Sequence, residues 1–142
     1  MTSDGAFDLD TYVQAILGKQ ALGLTVLDVG ALTSVADVFM VCSGRSNRQV
    51  NAIAEHIQTT LKQLGIRPLS IEGKKTGHWI LMDYGHVVIH VFFDDVRSFY
   101  DLEGLWADAP RLTPPALTHY IQSQQQTEMD DHGTETDDID DS

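Results

Sequence analysis

The 142-residue chain has one cysteine, four prolines and nine Lys and Arg. No apolar run approaches the ~20 residues that a membrane-spanning helix needs, so no membrane association is expected. A single cysteine, Cys42, excludes an internal disulfide and suits a reducing cytoplasm. The opening MTSDGAFDLD is acidic and lacks the basic and apolar regions of a signal or transit peptide. Basic residues are scarce against 21 Asp and Glu, giving a net charge of −12. Affinity for nucleic acid comes mainly from Lys and Arg neutralising phosphates, so such a chain is a poor fit to sequence-specific nucleic acid binding. With no internal repeat, these features describe a soluble, cytoplasmic, single-domain protein.

Charge then divides the chain. Residues 113–142 carry eight acids and no base, whereas all nine bases and thirteen acids precede them. The last part, QSQQQTEMDDHGTETDDIDDS, has no run of large apolar residues with which to offset its ordering entropy. Residues 1–112 are expected to form an α/β domain and 113–142 a disordered acidic tail, with Pro114–Pro115 at the boundary.

A first helix is expected from about Asp8 to Gln20, where Leu9, Val13, Ile16 and Leu17 recur at helical spacing. Gly23 ends the following turn, and Leu24–Val29 reads as a strand. Val38 to Cys42 is continuously apolar, the pattern of a central strand covered on both faces. Ser46 and Gln49 form a capping box ahead of a helix whose stripe is Val50, Ile53, Ala54, Ile57, Leu61 and Leu64, with Gly65 at its end. A strand near Leu69–Glu72 completes a parallel βαβ unit. HWILMD and HVVIHVFF then form an antiparallel hairpin about Tyr84–Gly85. Asp94 or Asp95 caps a last helix, VRSFYDLEGLW. The expected fold is a mixed sheet with helices packed on it, in the order α-β-β-α-β-β-β-α.

A two-residue loop at Tyr84–Gly85 pairs Asp83 with His86 and Trp79 with His90. Alternation then places Ile80, Met82, Val87, Ile89 and Val91 on a core face. Trp79, Leu81, Asp83, His86, Val88, His90 and Phe92 fall on the other. Two readings of that second face follow: a partner-binding surface mixing aromatic and polar groups, or a face covered by the last helix with Trp79 in the core. His90 is placed to stack on Trp79 or to hydrogen-bond beside it. In the last helix Val96, Phe99, Leu102 and Trp106 share a core-like spacing, and Arg97 and Glu103 pair with one another or meet a partner.

The catalytic signals are weak. SGRSN after a strand has one glycine and matches no phosphate-binding loop, so a capped turn suffices. Asp94 and Asp95 are adjacent and do not project together, as the metal ions of a nucleotidyltransferase require. His86 and His90 lie too far apart along a strand to share an ion. Cys42 reads as a small buried hydrophobe. Neither a cofactor nor a metal is expected.

SGRSNRQVNAIAEHI, Glu72–Gly73, HWILMDYGHVVIHVF and RSFYDLEGLW together resemble the ribosomal silencing factor (Iojap-like) family, over about residues 8–108 in unbroken order. The resemblance implies a fold related to the nucleotidyltransferases without their catalytic function. It further implies binding to the large ribosomal subunit through ribosomal protein fourteen, which blocks joining of the small subunit and represses translation. A homodimer and a role in large-subunit assembly are also implied. Trp79, Asp83, His90, Arg97, Tyr100, Glu103 and Trp106 match the family's motifs, and the resemblance makes Trp79 the principal partner contact. Leu81 and Tyr84 join the candidate partner-binding set from the hairpin geometry. His86 stands where relatives often carry an acid, and the acidic tail lies outside the resemblance.

Overall fold

The computed structural model describes residues 8–125. Helix α1 (Leu9–Leu17) leads into β1 (Leu22–Asp28), β2 (Val38–Gly44), α2 (Asn47–Gln63), β3 (Ser70–Glu72), β4 (Trp79–Asp83) and β5 (Val87–Phe93). Two short helices, α3 (Asp94–Tyr100) and α4 (Leu102–Leu105), precede β6 (Arg111–Leu112). A further helix, α5, occupies residues 115–125. The six strands form one mixed sheet in the order β3-β4-β5-β2-β1-β6.

β2 lies parallel to β5, and every other neighbouring pair is antiparallel. β3 therefore runs in the direction of β2, as a βαβ unit requires, but β4 and β5 lie between them. All seven residues of β2 are buried, in keeping with its continuous apolar run at the centre of the sheet.

The caps of α2 follow the sequence. Ser46 Oγ accepts from Gln49 N at 3.0 Å. The Gln49 side chain accepts in return from Arg45 N, one residue before the position that the capping box predicts. At the other end Gly65 has φ +82°, Ile66 N donates to Leu61 O and Gly65 N to Lys62 O. This pair of bonds is a Schellman closure.

Both sheet faces are covered. On one, α1 and α2 bury Val26, Met40, Cys42, Ile80, Met82, Val87, Ile89 and Val91 in the main core. On the other, Leu27, Val29, Phe39, Val41, Val88 and Phe92 form a smaller core with Leu102 and Ala109, flanked by Trp79, Leu81, Val96 and Trp106. Burial pushes the Cys42 thiol up to about 12, so it stays a neutral, inert filler. Among the described residues no helix is long and apolar enough to cross a membrane.

Four expectations need correction. Gly23 does not end a turn; it lies inside β1 at φ +54°, where the register slips between Leu22 and Thr25 in a bulge. The last helix is not continuous, because Asp101 adopts φ +49°, ψ +53° and divides it. Neither Asp94 nor Asp95 caps α3, whose N-cap is Phe93; Asp94 Oδ1 accepts instead from Ser43 Oγ at 3.0 Å.

Finally, the tail expected to be disordered from residue 113 is helical over 115–125. Pro115 opens that helix, a position where the missing N–H costs nothing because the first-turn donors have no helical partner. Leu117 reaches the main core, and Ala116 N donates to Asp10 Oδ1 at 3.0 Å. The expected disorder of residues 126–142 lies outside the described residues.

A candidate partner-binding face

The hairpin turn is Gly85–His86, one residue later than the expected Tyr84–Gly85. Tyr84 N donates to Val87 O at 2.9 Å, and Gly85 has φ +93°. A positive φ at the first turn residue alone is the type II′ pattern, which favours glycine there. The pairing moves by two residues, so that Trp79 faces Phe92, Leu81 faces His90 and Asp83 faces Val88. A shift of two preserves which face each side chain takes, so the division into two faces stands although the cross-strand partners change.

Trp79 is the centre of the second face. Its indole stacks on Phe92 with centroids 4.8 Å apart and meets the Tyr100 ring at 5.2 Å. Its Nε1–H donates to His90 Nδ1 at 3.2 Å. His90 is 3% exposed, with the Phe39 ring edge-on at 4.8 Å. Burial pulls its imidazole down to about 4, so it is neutral at physiological pH. With Nδ1 accepting from Trp79, the ring proton sits on Nε2, which is buried and has no hydrogen-bond partner. His90 lies behind the surface and orients the tryptophan.

The margin of this face is open and mixes polar with apolar side chains. Thr76, His78, Trp79, Asp95, Val96, Phe99 and Tyr100 line one shallow groove. Glu72, Gly73, Trp79 and Leu81 line a second on the other side of the indole. Phe99 is 82% exposed and Tyr100 53%. Phe99 therefore does not join Val96, Leu102 and Trp106 in the core as its spacing suggests. The left-handed backbone at Asp101 resets the helical phase after Tyr100, so Leu102 and Trp106 turn inward while Phe99 remains outside. An exposed cluster of large aromatics around a half-buried tryptophan has the composition of a protein-binding hot spot.

Arg97 and Glu103 hold this arm to the sheet. Arg97 Nη2 lies 2.6 Å from Glu103 Oε2, and Nε donates to Oε1 at 3.2 Å. The same guanidinium donates to Gly23 O at 2.8 Å, Leu22 O at 3.3 Å and Ser43 Oγ at 3.2 Å. The β1 bulge turns these two carbonyls toward the arginine, which satisfies them. The hydrogen bond from Arg97 holds the Glu103 carboxyl below its usual range. Both side chains are largely enclosed by these contacts.

The expected contact residues thus separate. Trp79, Leu81 and Tyr100 come together, and Phe99 joins them. His90 supports Trp79 from beneath, while Arg97 and Glu103 form an internal clamp. Asp83 is half-buried at the turn, where its Oδ1 accepts from Gly85 N at 2.8 Å. Tyr84 belongs elsewhere: its ring packs edge-on against Tyr12 at 5.8 Å, on the main-core side of the sheet.

No group of three or more His, Cys, Asp and Glu that could hold a metal ion occurs among the described residues. Asp37 lies 2.8 Å from His86, and Asp28 Oδ1 accepts from Gly30 N at 3.1 Å. These carboxylates, like Asp94, serve local structure.

The family model described as "Ribosomal silencing factor during starvation" matches residues 5–140. The ribosomal silencing factor of Bacillus subtilis is 45% identical over 92 residues, covering 65% of this chain and 78% of its own length. A mouse protein named for mitochondrial assembly of the ribosomal large subunit is 32% identical over 103 residues, covering 70% of this chain and 45% of its own. A crystal structure of a Chromobacterium violaceum protein superposes with a TM-score of 0.67 at 37% identity, covering 70% of this chain and 82% of that one. These matches make the chain a member of the ribosomal silencing factor family, whose members act on ribosomes and not as enzymes.

Proposed function

We propose that this protein binds the large ribosomal subunit through ribosomal protein fourteen and represses translation by occupying space that the small subunit needs. The observation that carries the reading is the open aromatic surface of Trp79, Tyr100 and Phe99, with Leu81 beside it, in a member of a silencing family. The chemistry required is small. Desolvating an aromatic cluster supplies most of the binding energy, and bulk supplies the inhibition. The chain's net charge of −12 favours encounter with a basic ribosomal protein.

The same reading places the protein in the cytoplasm, makes the fold a non-catalytic relative of the nucleotidyltransferases, and allows a homodimer when no ribosome is bound. Among the described residues Asp28, Asp37 and Asp94 each have a local partner, which suits the non-catalytic part of this reading.

Sedimentation of purified subunits in a sucrose gradient, with and without the protein, tests the proposal. Co-migration with the large subunit and loss of joined ribosomes is the expected result. A folded protein that migrates with neither subunit would overturn it. A second reading, assistance in large-subunit assembly, is favoured by the name of the mouse relative. It predicts large-subunit precursors in depleted cells, with joining of mature subunits unaffected by the purified protein.

A further inference from the structure

Five of the nine basic residues gather around the first half of α2. Asn47, Asn51 and Glu55 form one flank of that helix. The 73–77 loop lies along it: a Cβ on Gly77 would stand 3.0 Å from Asn47 O, and Lys74 pairs with Glu55 at 3.8 Å. Gln49 and Ala52 form the opposite flank and share a hollow with Lys19. Arg48 projects between the two flanks, because residues one apart on a helix differ by about 100° in direction. Arg45 stands just before the N-cap. Lys19, Arg45, Arg48, Lys74 and Lys75 are all exposed. Among the described residues no ion pair involves Lys19, Arg45, Arg48 or Lys75.

This concentration of positive charge is unusual in a chain with 21 acids. It is also continuous with the aromatic face. The 73–77 loop that brings Lys74 and Lys75 to α2 carries Thr76, which lines the same groove as Trp79, Phe99 and Tyr100. A partner seated on the aromatics therefore has its neighbouring surface next to the lysines. Exposed cations held apart by helix geometry, of which only Lys74 has an acidic partner among the described residues, are suited to a linear run of phosphates.

We propose that this basic surface contacts the phosphate backbone of ribosomal RNA beside the protein component recognised by Trp79. The inference rests on the proposed large-subunit binding and names the second component of the same docking site. The contacts are to phosphate and carry no sequence preference. The net negative charge of the chain discourages binding to RNA at large, while the local cations act once the aromatic face has fixed the orientation.

The test compares the full-length protein with the Arg45→Gln, Arg48→Gln, Lys75→Gln triple variant, whose side chains make no hydrogen bond within the described residues. Binding to purified large subunits is measured across a range of salt concentrations, and binding to isolated ribosomal protein fourteen alongside. The expected result is a loss of subunit affinity on the order of tenfold near 0.1 M salt. The slope of log affinity against log salt should fall by about one unit per lost phosphate contact. Affinity for the isolated ribosomal protein should not change. Equal affinity and equal slope for wild type and variant would overturn the inference while leaving large-subunit binding intact. Equal losses on the RNA-free protein would overturn it by showing that the cations meet protein. Tighter binding by the variant would overturn it by showing that these cations oppose docking. Wild-type protein that fails to bind the subunit would overturn the parent reading as well.

Discussion

Arg97 and Glu103 form a two-pronged ion pair across the Asp101 break, and the same arginine donates to the Leu22 and Gly23 carbonyls at the β1 bulge. One residue therefore ties the α3–α4 arm, the bulge and Ser43 at the C-terminal end of β2. Arg97→Ala is expected to lose about 2 kcal/mol, because it leaves a largely enclosed carboxylate and two carbonyls without their donor. Arg97→Lys should recover only part of this, since an ammonium cannot match the planar fork. Urea titration of both variants measures the difference. A lysine variant as stable as wild type would show that geometry is unimportant here.

Glu103 gives the clamp a pH signature. Its folded pKa is depressed, so its stabilising contribution is present above the ordinary carboxylate pKa and is lost as pH falls through the folded value. Urea titrations from pH 6 to 3 should show Glu103→Gln less stable than wild type at pH 6, with the gap narrowing toward pH 3. A gap independent of pH would mean that the carboxylate charge does not contribute.

Phe99 and Leu102 are three residues apart and should separate binding from stability. Phe99→Ser removes a ring that is 82% exposed, so thermal stability should change by no more than about 0.5 kcal/mol. Affinity for the large subunit should fall by about 1–2 kcal/mol, roughly fivefold to thirtyfold. Leu102→Ala, at 7% exposed, should instead cost about 2–3 kcal/mol of stability. Trp79→Ala is expected to lose at least about 2 kcal/mol of binding while the fold survives, with circular dichroism as the control. Wild-type subunit affinity in both the Phe99 and Trp79 variants would remove the aromatic face from the interface.

The hairpin shows what could be read from the residues alone. Alternation of apolar and polar positions assigned both faces of β4 and β5 because the rule has a period of two. The turn falls one residue later than that alternation suggests, because glycine can take positive φ at either turn position and here Gly85 is the first. Tyr84 then looked like a turn residue and is instead packed on Tyr12. Phe99 has a core-like spacing and is nevertheless exposed. Asp101 is compatible with a helix, and nothing in one sequence shows that it will adopt φ +49°. In the structure Asp101 caps the second segment, its Oδ1 accepting from Gly104 N at 3.2 Å. The Arg97 clamp depends on contacts more than 70 residues apart in sequence, which local pattern cannot supply.

The C-terminal helix offers a direct check on where the folded unit ends. Leu117 is 5% exposed and sits with Tyr12, Val13 and Ile16 in the main core. Leu117→Ala should therefore cost about 2–3 kcal/mol, and truncation after residue 112 should cost at least as much by uncovering α1. Thermal unfolding of both gives the answer. A truncated protein as stable as the full chain would return the boundary to Pro114–Pro115.

His90 makes the sharpest pH prediction. Its pKa falls from an ordinary value near 6.5 to about 4 in the fold because burial disfavours the charged ring. Between those values the unfolded chain binds a proton that the folded chain refuses, so stability should fall as pH drops from about 6.5 to 4, by up to roughly 3 kcal/mol. Above pH 6.5 the effect is absent. Asparagine can offer Oδ1 near the position of Nδ1 and still accept from Trp79 Nε1, whereas leucine fills space without accepting. His90→Asn should remove the pH slope and keep the indole N–H resonance of Trp79 in a hydrogen-bonded position. His90→Leu should remove the slope, move that resonance and weaken subunit binding, because the tryptophan loses the bond that orients it. If the leucine variant binds as tightly as the asparagine variant, packing against Phe92 and Tyr100 alone sets the indole, and His90 has no positioning role.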